Sequence, residues 1–65
     1  MTRNYKDYTI RVNEIDHPNY GMGYRAEMFI AKNDGLKANI IAFEIYRKMK
    51  PGEVVALCQE IIDLN

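Results

Sequence analysis

The stretch GLKANIIAFEIYRKMKPG, residues 35–52, decides the fold of this chain because it reads equally as a strand or as a helix. As a strand, Ile41, Phe43 and Ile45 share one face, and the Asn33-Asp34-Gly35 turn before it suits a hairpin. As a helix, Ala38, Ile41, Ala42, Ile45 and Met49 form one continuous stripe at the helical period. The end signals favour the helix. Asp34 is a suitable N-cap, and Glu44 and Lys48 stand at i, i+4 in the better orientation. Arg47, Lys48 and Lys50 crowd the last turn, where the helix dipole favours cations. Pro51-Gly52 then stops the helix.

Upstream, the pattern is plainer. In residues 7–15, Tyr8, Ile10 and Val12 alternate with Thr9, Arg11 and Asn13, which predicts a half-buried strand. Residues 16–23, DHPNYGMG, are turn material. In residues 24–32, Tyr24, Ala26, Met28 and Ile30 face the core while Arg25 and Glu27 face out, so the two strands form an antiparallel hairpin. Downstream, residues 53–64 stay ambiguous. Val54, Leu57, Cys58, Ile61 and Leu64 make a helical stripe, and Pro51 suits a first helical turn. Val54-Val55 directly after a Lys-Pro-Gly turn, with apolar residues on both sides, suits a strand covered on both faces. The expected architecture is α+β, a single domain over residues 1–65 in the order β-β-α-β, with β-β-β-α as the alternative.

A chain of 65 residues buries only about 60% of the surface that its unfolded form exposes, and one such core supplies roughly 3–5 kcal/mol. The one cysteine, Cys58, forms no intrachain disulfide, and the one histidine, His17, leaves no Cys/His cluster for a metal. Oligomerisation is the remaining device, and a homodimer is expected. No cofactor or catalytic set is indicated, since the acids are scattered singly, so the chain reads as no enzyme. The start MTRNYKDYT has no apolar h-region and the longest aliphatic or aromatic run is IIAF, 40–43, so neither a signal peptide nor a membrane span is expected. These features fit a reducing cytoplasm, including that of an infected host cell. Nine basic residues balance nine acidic ones, which argues against direct nucleic-acid binding through phosphates.

If 38–49 is a helix lying on the hairpin, then Ile40, Phe43, Tyr46 and Arg47 point elsewhere. Burial of a large aromatic side chain contributes about 1.5–3 kcal/mol, so Phe43 needs a cover. A wide core or a dimer contact supplies one. A binding groove supplies another: two such helices side by side line an apolar cleft with Phe43, rimmed by Glu44.

Residues 43–57, FEIYRKMKPGEVVAL, resemble a segment of the small uracil-DNA glycosylase inhibitors of protein-primed Bacillus phages. The shared pattern is Phe43-Glu44-Ile45, seven residues between, then Glu53-Val54-Val55 and Leu57. The resemblance implies a cytosolic homodimer with a β-β-α-β-like protomer that occupies the DNA-binding groove of a host repair enzyme, uracil-DNA glycosylase. It implies that Phe43 of both protomers sequesters an apolar wedge that the enzyme inserts into DNA, with Glu44 in place of a phosphate. Two features depart from the family: the chain is neutral where members are acidic, and Arg47 stands where they carry a tyrosine. Two other functional classes remain open. Arg11, Arg25 and the tyrosines Tyr5, Tyr8, Tyr20 and Tyr24 would make a nucleic-acid stacking face under β-β-β-α. Alternatively, the aromatic stripe is only the self-interface of a structural or regulatory dimer. His17 before Pro18 reads as a surface turn residue, Gly21-Met22-Gly23 as a mobile loop, and Cys58 as an inert buried thiol.

Overall fold

The computed structural model describes all residues, 1–65. Four strands form one antiparallel sheet in sequence order, β1 (Thr2–Tyr5), β2 (Tyr8–His17), β3 (Gly21–Ala31) and β4 (Lys37–Ile45). One helix, α1 (Pro51–Leu64), then crosses one face of the sheet. The class is α+β, with element order β-β-β-β-α.

The predicted hairpin is present. Ile10 pairs with Met28 and Val12 with Ala26, and all four are buried against Val54, Val55, Cys58 and Ile62 of α1. Its loop is shorter than residues 16–23: three residues, Pro18 to Tyr20, link His17 to Gly21, whose φ of 80° is the left-handed conformation that glycine adopts freely. His17 Nδ1 accepts the N–H groups of Asn19 and Tyr20 at 3.0 and 3.3 Å, which holds the loop.

The helix expected over 38–49 is instead strand β4, and the strand expected over 53–64 is helix α1. Both corrections have one cause. Phe43 lies opposite Ala26, Ile41 opposite Met28 and Ile45 opposite Tyr24, so the period-two reading lets β4 pair along β3 and pack Ile41 and Phe43 against the core. Pairing with β3 satisfies backbone groups on one side of β4, which no propensity term can match. The apparent stop signal Pro51-Gly52 is a start signal. Pro51 occupies the first helical turn, where its missing N–H costs nothing. The Glu53 carboxylate accepts the Lys50 N–H at 2.9 Å, as in a capping box. Asp34 caps no helix; its carboxylate accepts the Leu36 N–H at 3.0 Å inside the turn that closes on Gly35 at φ 82°.

Strand β1 has no counterpart in the sequence reading. Its residues are polar, and it exists because β2 offers it a free edge. Met1 and Val12 exchange two backbone hydrogen bonds at 2.8 Å each. Tyr5 and Lys6 both donate to Asp63 near the end of α1, at 2.9 and 2.5 Å. That clamp joins the first strand to the last helical turn. No helix is long and apolar enough to cross a membrane.

Candidate interaction surface

Helix α1 covers only one face of the sheet and sits over β2 and β3. The opposite face of the sheet and the outer edges formed by β1 and β4 remain uncovered.

The opposite face carries a ladder of charge across three strands. Arg11 of β2 faces Glu27 of β3 at 4.0 Å, and Arg25 of β3 faces Glu44 of β4 at 3.5 Å. Both pairs are cross-strand neighbours in register. At one end of this face Phe29 is only 5% exposed, because Arg11 and Lys37 lie over its ring at 5.4 and 4.5 Å. At the other end His17, Tyr20 and Tyr46 gather, with centroids 4.5, 5.4 and 5.1 Å apart. Gly23 makes that cluster possible: a Cβ there would stand 2.4 Å from the Ile45 carbonyl oxygen and 2.7 Å from the Tyr46 ring. The Tyr46 hydroxyl donates to Glu44, and that hydrogen bond, followed by desolvation, pushes its pKa up to about 12.

The β4 edge is different in kind. Strand β1 ends the sheet on one side and β4 on the other, so one flank of β4 has no strand beside it. Its side chains are apolar on the helix side and mixed on the other, where Glu44 stands beside Ala42. Ile41, Phe43 and Ile45 lie half-buried on the helix side. On the other side Ala42 is exposed, and Ile40 is 55% exposed. A bulge interrupts the strand: between the pairs Met28↔Ile41 and Ile30↔Ala38, β4 carries one residue more than β3, and Asn39 takes a φ of 52°. Residues 41–45 are therefore the regular part of the edge. Beside it, Ile45, Met49, Ala56 and Leu57 line a shallow groove of about 340 Å³, with exposed Glu53, Glu60 and Arg47 at its borders.

The residues singled out in the sequence are thus separated. Phe43 faces α1, in register with Ala26, and is neither on a helix nor free in solvent. Glu44 points to the opposite face, with Arg25 and Tyr46. Ile40 lies at the bulge, and Arg47 in the connection that borders the groove. The expected cleft between two protomers' helices, lined by Phe43 and rimmed by Glu44, has no helix to form on, because both residues lie on strand β4 and face opposite ways. Sequence reasoning missed Leu57, Glu53 and Glu60 as groove residues, and the edge itself. The signal for the edge was present: an apolar run, IIAF, on both faces of a strand needs cover on both.

Cys58 is buried among the core residues, and burial pushes its thiol pKa up, in keeping with an unreactive group. His17 is engaged in its loop rather than free. No protein-family model, no curated protein and no solved structure matches this chain.

Proposed function

We propose that this chain is a non-catalytic interaction protein that takes up a strand from its partner along β4. The observation that carries this reading is an open edge strand whose helix-side row, Ile41, Phe43 and Ile45, is apolar and half-buried, with an apolar groove beside it. Edge strands that must stay unpaired are short, charged or interrupted by proline. Residues 41–45 hold no proline, their one charge, Glu44, is paired with Arg25, and the β4 bulge lies before them at Asn39. Strand addition gives affinity through backbone hydrogen bonds and selectivity through alternate side chains. Hydrogen exchange tests this on dilute protein. Alternate amides of residues 41–45 are expected to exchange far faster than those of β3. Uniform protection along β4 would mean that the edge is closed, and the reading would fall.

A second reading is inhibition of uracil-DNA glycosylase, and one observation favours it. Helix α1 carries Glu53, Glu60 and Asp63 with no basic residue; Asp63 is taken up by Lys6 and Tyr5, and Glu53 and Glu60 border the apolar groove together with a single base, Arg47. An apolar receptacle between carboxylates suits a basic groove that presents an apolar wedge. Titration of a bacterial uracil-DNA glycosylase tests it: stoichiometric loss of uracil excision supports inhibition, and undiminished excision removes it. Direct nucleic-acid binding by the open face ranks lower, because Glu27 and Glu44 neutralise Arg11 and Arg25 where phosphates would have to approach.

A further inference from the structure

We infer that the strand received at β4 is β4 of a second copy, antiparallel, with Phe43 opposite Phe43. The inference rests on the strand-addition reading above and specifies its occupant.

The chain is more extended than its size requires. A monomer of 7.6 kDa exposes on average about 4,300 Å², against 4682 Å² here. Its radius of gyration is 12.2 Å, where 65 compact residues average roughly 10.7 Å. Surface is in excess, and β4 is where apolar surface lies along an open edge.

Self-complementarity names the occupant, and symmetry leaves few registers to choose from. A twofold axis through an antiparallel strand pair sets one residue opposite its own copy. The bulge at Asn39 confines regular pairing to residues 41–45, so the central residue is Ala42, Phe43 or Glu44. Centring on Glu44 puts two carboxylates directly opposite each other, which is destabilising. Centring on Ala42 sets Glu44 against Ile40 and draws the bulge into the ladder. Centring on Phe43 pairs all of 41–45 with itself. Ile41 then meets Ile45 of the second copy on the helix side, the two Phe43 rings adjoin between them, and Glu44 faces Ala42. Aromatic and β-branched cross-strand pairs are the stabilising kind. The opposite edge offers no such match, since β1 is a four-residue polar strand.

Three measurements on the intact chain decide the matter. Sedimentation from micromolar to millimolar concentration is expected to show a monomer passing to a two-chain species. Over the same range, the unpaired amides of residues 41–45 should slow by at least about tenfold while those of β1 do not. An equimolar mixture of Ala42→Cys and Glu44→Cys, mildly oxidised, should give mainly the 42–44 interchain disulfide, because those positions are directly opposed. Mainly 42–42 or 44–44 products would overturn the register. A chain that stays monomeric with fast-exchanging β4 amides overturns the second copy but leaves the edge open to another partner. A two-chain species with unprotected β4 puts the self-interface elsewhere and overturns this inference, whereas β4 amides already protected in the dilute monomer overturn the strand-addition reading itself.

Discussion

Gly23→Ala probes the close approach of the end of β4 to β3. The added methyl carbon would stand 2.4 Å from the Ile45 carbonyl oxygen, 2.7 Å from the Tyr46 ring and 3.2 Å from the Tyr46 Cα. Two of these three atoms are backbone, so no rotamer change relieves the clash. Restoring ordinary contact requires the end of β4 to retreat by about 1 Å, and forced methyl groups of this kind cost about 1–3 kcal/mol. Against a total of roughly 3–5 kcal/mol for a core of this size, that is a large share. At 4–8 °C per kcal/mol for small domains, a 2 kcal/mol loss lowers Tm by about 8–16 °C. Gly52→Ala is the matched control. Nothing lies within 4 Å of its Cβ, and it sits in the first turn of α1, so the same change should gain about 0.4–1 kcal/mol. Thermal unfolding followed by circular dichroism measures both, and aromatic NMR shifts report whether Tyr46 leaves His17 and Tyr20. If Gly23→Ala unfolds within about 0.5 kcal/mol of wild type with Tyr46 undisturbed, the packing of β4 on Gly23 is not as described.

Four further outcomes are expected. Ile10→Ala removes a fully buried side chain from the centre of the core; a loss of about 2–5 kcal/mol should leave much of the chain unfolded in water, as urea titration would show. Asn39→Val places a β-branched residue in a left-handed conformation at φ 52° and should cost about 1–2 kcal/mol, whereas Asn39→Gly should be close to neutral; denaturant midpoints separate the two. Tyr46 should titrate at about 12 in an ultraviolet pH titration, and Glu44→Gln should bring it down toward 10.0; because the folded value is the higher one, this contribution is present below the ordinary phenol value and is lost as pH rises through about 12. Asp63 is held below its ordinary 3.8, first by its hydrogen bond from Lys6 and then by that from Tyr5; its contribution is therefore complete above 3.8 and lost as pH falls through the lower folded value, so the last turn of α1 should lose exchange protection in acid.

The sequence by itself determined the central hairpin. Ile10 and Val12, with Ala26 and Met28, alternate with polar residues, and a period of two in a half-buried segment has only one regular structure that suits it. It also indicated a chain short of core, with an apolar surplus around residues 40–45. What it left open was decided between elements. In IIAF every residue is apolar or small, so both periods find a stripe, and capping and charge terms of a few tenths to about 1 kcal/mol cannot separate them. Pairing with β3 and burial against α1 can, and both are contacts at long range. The same logic placed β1, whose polar residues carry no signal of their own and which forms only on the edge of β2. Phe43 and Glu44 were legible as conspicuous residues but not as a site, because adjacent residues share a helix surface and are driven to opposite faces by a strand. Once 37–45 is a strand, the exposed feature is no longer an aromatic on a helix but the open edge that carries it.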